Sequence, residues 1–409
     1  MSLIVQKYGG SSMGSPERIH RVAQRICRAR ALGHQLVVVV SAMQGETDRL
    51  LKLAGAAAHQ AHSLREVDQL LATGEQVSAA LLALTLRAMD VPARSFTAGQ
   101  MRLYTDGMFS RARLKRMDAQ HIEASLQTGE VVVATGFQGI DAKGDLTTLG
   151  RGGSDTSAVA LAAVLGADAC EIYTDVEGVF TADPRICPDA QKLDTITFDE
   201  MLEMASLGSK VLQIRSVELA MNHRVPLRVR STFSDDPGTE VGFGDSPIER
   251  INVVGISHSK NEAKVTLRGL DMVQGQVAQV FGHLARSGVN VDVIVQNPPE
   301  QGAVDISFTV GATDLPAARQ ALVKLQQSVP LAEEEVTEHL GKVSIVGVGM
   351  MSHPGVAARM FAILHEHHIP IELITTSEIK VTTVVAADHV DRAVVALHAG
   401  FDLGPVQAA

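Results

Sequence analysis

The sequence has 409 residues, with 45% apolar and 20% charged side chains, the make-up of a soluble globular protein too long for one ordinary hydrophobic core. Thirty-six Lys and Arg against 46 Asp and Glu leave a net charge of −10, which repels nucleic-acid backbones and anionic membranes. With no Trp and three Tyr, the stacking platforms that single strands need are missing as well. Cys27, Cys170 and Cys187 show no Cys-x-x-Cys spacing, so neither a disulfide framework nor a zinc site is expected, and a reducing cytoplasm fits best. The first apolar stretch is too short for a signal-peptide core, and no apolar run approaches the ~18 to 20 residues of a membrane helix.

In chain order, Leu3 to Gln6 reads as a short strand, Glu17 to Ala31 as a helix, and Leu36 to Val40 as a strand buried on both faces. The alternation continues with Val131 to Thr135, a helix near Asp155 to Leu165, Glu171 to Thr174, a helix near Phe198 to Ala205 and a strand at Leu227 to Val229. This predicts an α/β domain over residues 1–245, an open, mainly parallel sheet with helices on both faces. From Ser234 to Pro247 the composition shifts to Ser, Asp, Gly and Pro, which marks a domain boundary. Beyond it the chain nearly repeats itself. Gly275 precedes a helix and then Val289 to Ile294, Gly355 precedes a helix and then Ile369 to Ile374, and 355 − 275 and 369 − 289 are both 80. Each repeat reads strand, Gly turn, helix, strand, strand, helix, predicting two small α+β modules over 246–332 and 333–409.

Three segments have the residue types that phosphate chemistry needs. Lys7-Tyr-Gly-Gly-Ser-Ser-Met-Gly14 closes the first strand ahead of a helix beginning near Pro16. Adjacent glycines let backbone N–H groups approach phosphate oxygens, and the lysine supplies a point charge. The segment matches neither the Gly-x4-Gly-Lys-Ser/Thr loop nor the Gly-x-Gly-x-x-Gly fingerprint, and on its own such a glycine pair after a strand is more often a plain turn. Thr147-Thr-Leu-Gly-Arg-Gly-Gly-Ser-Asp-Thr156 precedes an Ala-rich helix, with Ser154 or Asp155 the expected N-cap. Capping gives no reason for Arg151, whose guanidinium suits a carboxylate or phosphate. In Tyr173-Thr-Asp-Val-Glu-Gly-Val-Phe-Thr-Ala-Asp-Pro-Arg185, Asp175 is expected at a strand's carboxyl end, where open sheets bind ligands. Lys210 could add a cation near the phosphates, although a lone lysine in a loop is usually solvated. His365, His367 and His368 lack the His-Glu-x-x-His order, so they read as a solvated face and no resident metal is expected.

Lys7-Tyr-Gly-Gly-Ser-Ser, Ser41-Ala-Met-Gln-Gly-Glu-Thr-Asp48, Gly74-Glu75, Gly150-Arg-Gly-Gly-Ser-Asp155, Tyr173-Thr-Asp-Val-Glu-Gly-Val179 and Thr181-Ala-Asp-Pro-Arg185 stand in this order. Together they resemble the signature set of the aspartokinases, a family that joins an amino acid kinase domain to two ACT domains of ferredoxin-like fold. The resemblance covers essentially the whole chain, the repeat included. It implies that Lys7, Gly9, Gly10 and Ser11 hold the phosphates of ATP, and that Thr174, Asp175, Phe180, Asp183, Arg185 and Lys210 line the nucleotide. For aspartate it implies Ser41, Thr47, Glu75, Arg151 and Ser154. Tyr8, Ser11, Met13 and Glu177 replace the commoner Phe, Thr, Val and Asp, and none of these changes removes a charge the chemistry needs.

The implied reaction joins the β-carboxylate of aspartate to the γ-phosphate of ATP. A carboxylate with an ordinary pKa of about 3.9 is already ionised at neutral pH, so no general base is required. Lys7, Lys210 and a Mg²⁺ carried on ATP compensate the charge of the transferring phosphoryl group, and Asp155 orients the lysines. Arg151 would fork onto the α-carboxylate and Glu75 would hold the α-ammonium. A glutamate or N-acetylglutamate kinase is disfavoured by the appended modules and by Ser41 to Asp48. A catalytically silent amino-acid-sensing protein is disfavoured by the joint presence of Lys7, Glu75, Arg151, Asp155 and Lys210.

For regulation, the resemblance implies lysine or threonine as effectors, with Gly275, Asn290, Val291, Asp292 and Gln296 as contacts. Relatives inhibited by these amino acids commonly carry Asp-x-Pro-Gly at the first ACT turn. Aligned on Gly275, this chain has Met272 and Gln274 there, and a thioether cannot neutralise an ammonium. A weakened response is therefore expected, with Asp271 next door as the competing acid. The open sheet edges predict a homo-oligomer.

Overall fold

In the computed structural model, residues 2–58, 63–206, 211–244, 253–271, 275–299, 302–326, 333–348, 350 and 355–405 are described. The chain divides into one unit of Met1–Val179, Lys192–Ser206 and Lys210–Ser246, and another of Phe180–Gln191, Leu207–Ser209 and Pro247–Ala409. Among the described residues no helix is long and apolar enough to cross a membrane.

The first unit runs β1 (Leu3–Tyr8), α1 (Pro16–Ala31), β2 (Gln35–Val40), α2 (Glu46–Ala58), α3 (Leu64–Leu71), α4 (Thr73–Ala88), β3 (Ala93–Phe96), β4 (Tyr104–Thr105), β5 (Leu114–Arg116), α5 (Gln120–Gln127), β6 (Val131–Thr135), β7 (Gln138–Ile140) and β8 (Leu146–Thr148). It continues α6 (Gly153–Leu165), β9 (Ala169–Thr174), β10 (Thr195–Thr197), α7 (Phe198–Ser206), α8 (Ile214–His223), β11 (Leu227–Ser231) and β12 (Thr239–Gly242). Eight strands form one sheet in the order β10-β12-β11-β9-β1-β2-β6-β3, parallel except between β11 and β12. A second sheet, β5-β4-β7-β8, stands apart from it.

Side-chain alternation sorts the main sheet into two faces. Tyr8, Leu36, Val38, Val40 and Val133 pack with Ile19, Val22 and Ile26 of α1 and Leu82 and Leu86 of α4 in one core. The other face is covered by α6, which packs on β1, β2 and β9. Lys7, one residue from Tyr8, thereby falls on the α6 side.

Helix α1 starts as its sequence dictates: Pro16 needs no N–H partner in the first turn, and the Ser15 hydroxyl accepts the Arg18 N–H at 3.4 Å. Helix α6 corrects an expectation. Its N-cap is Gly152 in the left-handed region, φ 71°, with no side-chain cap bond, not Ser154 or Asp155. Because glycine makes that turn freely, the helix starts earlier, and both side chains ride its buried first turn.

The second unit runs β13 (Gly255–Asp271), α9 (Gln276–Arg286), β14 (Val291–Gln296), β15 (Ala303–Gly311), α10 (Leu315–Gln326), β16 (Glu333–Val346), α11 (Val356–Glu366), β17 (Leu373–Thr376), β18 (Lys380–Ala386) and α12 (Val390–Gly400). Its antiparallel sheet has the order β14-β15-β13-β16-β18-β17. The repeat is visible in the two helices capped by Gly275 and Gly355, both at positive φ. Strand β17 begins later than the pattern suggested, since Pro370 has no N–H for a ladder. The long strands β13 and β16 each serve two cores. One gathers Val265, Leu267, Val280, Leu284, Phe308 and Leu322; the other gathers Ile256, Val343, Ile345, Met360, Leu364 and Leu397 together with Ala182, Cys187 and Ala190.

Candidate active site

Tyr8 of β1 pairs with Val40 of β2 on one side and Tyr173 of β9 on the other, so three parallel strands end level. Such carboxyl ends, where connections diverge to either side, leave a crevice. Here it is a cleft of about 390 Å³ lined by Lys7, Gly10, Ser11, Ser41, Thr47, Glu75, Arg151, Ser154 and Asp155. Nine residues anticipated from sequence thus meet in one place.

The loop after β1 lies close to its neighbours because it has no side chains where they approach. A Cβ on Gly10 would stand 3.0 Å from the carbonyl oxygen of Ala42, and one on Gly9 3.5 Å from Lys7 Nζ. Lys7 Nζ lies 2.6 Å from Asp155 Oδ1, both side chains nearly buried. The ammonium is therefore anchored at the N-terminal turn of α6.

Glu75 follows Gly74, whose missing side chain lets α4 approach Ala42: a Cβ there would fall 2.8 Å from that of Ala42. Glu75 Oε1 accepts the Ala42 N–H at 2.9 Å, while Oε2 is buried with no hydrogen-bond partner among the described residues. Burial pushes its pKa up to about 7, against the smaller opposing effect of the Ala42 N–H. The carboxyl is thus short of a positive partner. Arg151 is exposed beside the cleft and is in no ion pair among the described residues.

The nucleotide candidates divide. Thr174 and Asp175 sit at the end of β9, the Thr174 hydroxyl donating to Asp175 Oδ1 at 3.1 Å. Phe180, Asp183 and Arg185 belong to the second unit. There Arg185 donates from Nε and a terminal nitrogen to Asp183 at 3.0 and 2.7 Å, which lowers the Asp183 pKa. Lys210 lies outside the described residues.

Of the effector candidates, Gly275 caps α9 at φ 65°, Asn290 precedes β14, and Val291, Asp292 and Gln296 lie on it. The buried Lys342 ammonium contacts Asp292 and also Glu262, the latter at 3.0 Å. Met272 and Gln274 lie outside the described residues.

Sequence reading passed over several residues. Phe137 lines the cleft at φ 68°, a conformation that bulky residues seldom adopt and that marks stored strain; only the Gly136 before it hinted at a turn. Ser12 and Thr232 share a buried hydroxyl–hydroxyl bond of 2.7 Å, and the Thr232 N–H donates to the Thr174 carbonyl at 2.9 Å. No local pattern announces a partner 220 positions away.

The amino acid kinase family model matches residues 2–231, and an ACT domain model matches 343–401. The aspartate kinase of Stutzerimonas stutzeri is 49% identical over 404 residues, covering 98% of each chain. The aspartokinase of Mycobacterium tuberculosis is 48% identical over 410 residues, covering 99% of this chain and 97% of its own. Among solved structures, E. coli aspartokinase III in complex with aspartate and ADP superposes with a TM-score of 0.83 at 27% identity, over 97% of this chain and 99% of the other. The same enzyme with lysine and aspartate gives 0.74 at 28% identity, over 98% and 100%. A family match over more than half the chain, near-complete coverage by relatives at almost half identity, and a cleft assembled from the motifs themselves lead to one conclusion: this chain belongs to the amino acid kinase family and, within it, to the aspartokinases.

Proposed function

We propose that the cleft transfers the γ-phosphoryl group of ATP to the β-carboxylate of L-aspartate, giving 4-phospho-L-aspartate, the first step toward lysine, threonine, methionine and isoleucine. The observation that carries this reading is that one cleft holds the Lys7–Asp155 pair, the buried Glu75 and Arg151, which is in no ion pair among the described residues. A β-carboxylate oxygen forms the new bond to the γ-phosphorus. The bond to the β,γ-bridging oxygen breaks, and ADP leaves with its electron pair. No proton moves, so the protein's work is alignment and charge compensation.

Arg151 forks onto the α-carboxylate of aspartate, Glu75 receives its ammonium, and the hydroxyls of Ser41, Thr47 and Ser154 complete the cradle. Lys7, steadied by Asp155, faces the transferring phosphoryl group, while Gly9, Gly10 and Ser11 hold the phosphates and Thr174 and Asp175 the nucleoside. For Phe180, Asp183, Arg185 and Lys210 the assignment rests on sequence resemblance. Mg²⁺ enters on the phosphates of ATP with most of its water. An ADP-release assay with aspartate, with glutamate and without acceptor tests the reading; turnover with glutamate equal to that with aspartate refutes it.

The same reading assigns catalysis to residues 1–245 and regulation to 246–332 and 333–409, in a cytoplasmic homo-oligomer. Edge strands β14 and β17 expose Ile294 and Ile374, apolar side chains that pairing between copies would cover. Light scattering showing only monomer rules this out. Lysine and threonine are proposed as weak effectors, because Asp292 is already engaged by Lys342 and Met272 carries no charge. Strong inhibition by either at low concentration in initial-rate titrations defeats that view.

A further inference from the structure

Asp68, on α3, is a fully buried carboxylate that no step above uses. Among the described residues no cation pairs with it. Its Oδ2 accepts the backbone N–H groups of Ser110 at 2.8 Å and Thr148 at 2.7 Å. Its Oδ1 accepts the hydroxyls of the same two residues at 3.3 and 2.8 Å. A carboxylate taken out of water is costly unless its lone pairs are met, and here four neutral donors from two separate segments converge to meet them.

Those segments are the ones that fix Arg151. Thr148 ends β8, three residues before Arg151. Ser110 presents its carbonyl oxygen 3.1 Å from where a Cβ on Gly150 would stand. Arg215 ties both strands of this loop pair, donating to the carbonyls of Leu149 at 2.7 Å and Ala112 at 3.1 Å. On its other side, α3 runs almost directly into α4, which carries Glu75, and the carbonyl of the linking Ala72 accepts from Gln138 Nε2 at 3.0 Å. Asp68 is therefore the joint between the helix pair that bears Glu75 and the loop that bears Arg151.

We propose that Asp68 is a positioning residue for the amino acid substrate: by locking α3 to Ser110 and Thr148 it sets the separation of Glu75 and Arg151, and so the place of the aspartate α-carbon relative to Lys7. The inference rests on the assignment of Glu75 and Arg151 to the two ends of that α-carbon. It concerns the amino acid and not the nucleotide, because none of the four bonds reaches the loop after β1 or the end of β9.

The arrangement suggests its own control. In Asp68→Asn the amide oxygen can keep the two backbone N–H groups while the amide nitrogen donates to the two hydroxyls, which rotate to accept; four bonds survive and only the charge is lost. Asp68→Ala loses all four. With steady-state kinetics on the full chain, Asp68→Ala should raise the aspartate KM about ten- to a hundredfold, the scale of an ångström-level misplacement, and leave the ATP KM within about twofold. Asp68→Asn should restore the aspartate KM to within about threefold of the parent. A role in stability alone would lower the amount of active enzyme without this split. An unchanged aspartate KM, an equal rise for both substrates, or failure of Asn to rescue overturns the proposal. Should Asp68→Ala not fold, Thr148→Val removes one donor and keeps the backbone N–H; its aspartate KM should rise while ATP is unaffected, and no rise overturns the proposal. Arg151→Ala separates the two levels. If it raises the aspartate KM and the Asp68 variants do not, the assignment of Arg151 stands and the role of Asp68 falls. If Arg151→Ala has no effect, the assignment falls and takes this inference with it.

Discussion

Lys7 Nζ and Asp155 Oδ1 stand 2.6 Å apart, one side chain from the end of β1 and the other from the first turn of α6. The contact holds the lysine's charge at the positive end of a helix dipole, where an anion is doubly favoured. Lys7→Ala should cut turnover about a hundred- to a thousandfold, the usual loss on removing one preorganised donor to a developing charge, with a smaller change in the ATP KM. Near-normal turnover would remove Lys7 from the chemistry.

Arg151 predicts a different signature. Arg151→Ala should raise the aspartate KM much more than the ATP KM, and Arg151→Lys should recover only part of it, because an ammonium cannot reproduce the guanidinium fork. Equal effects on both substrates would mean the side chain does not read the amino acid.

Glu75 predicts a pH dependence. Its pKa, raised to about 7 by burial, leaves the carboxyl largely neutral below that pH in the free enzyme, and a neutral carboxyl cannot pair with an ammonium. The value of kcat/KM for aspartate should therefore fall as the pH drops through about 7, while kcat, which reports the complex with the ammonium in place, stays flat over the same range. Glu75→Gln should lower kcat/KM at high pH and abolish this limb. A limb that persists in Glu75→Gln belongs to another group.

Gly152 is a purely conformational test. It sits at φ 71°, and a Cβ there would fall 1.8 Å from Gln213 Cγ. Gly152→Ala should lower stability by at least ~1 kcal/mol and displace the start of α6, with a fall in melting temperature. Adding Gln213→Ala takes away the Cγ and Cδ contacts but leaves the residue 213 Cβ 2.6 Å away and the backbone strain in place, so recovery should be partial. An unchanged melting temperature for the single variant contradicts the geometry.

The parts of this structure that sequence disclosed are those whose cause is local. Strands β2 and β6 are almost continuous β-branched runs and β1 opens on Leu3-Ile-Val5, α1 has a Ser-Pro start, and the glycine pairs announce close backbone approach. Helix α4 was not legible, because Val77, Leu81 and Leu84 are exposed and blur the apolar stripe that separates a helix's two faces. Ser154 and Asp155 resembled caps because their chemistry suits either role, and only the left-handed turn at Gly152 decides between them. Asp68 was invisible for the opposite reason: its four donors come from residues 42 and 80 positions away, and nothing in its own neighbourhood records them.

The placement of Phe180–Gln191 in the second unit bears on how this enzyme can be taken apart. Ala182, Cys187 and Ala190 are buried against Ile256, Val343 and Met360. Thr181 is held by the Ile256 N–H at 2.6 Å and shares a 2.8 Å hydrogen bond with His398 Nε2. A chain cut anywhere near residue 245 would keep this segment and discard everything that shelters it, leaving apolar side chains and a threonine hydroxyl open to water. The two halves are therefore not cassettes. Swapping the second unit between relatives, or expressing the first alone, calls for moving Phe180–Gln191 along with the piece from Pro247 onward, and a graft that moves only the downstream piece should yield protein prone to aggregation.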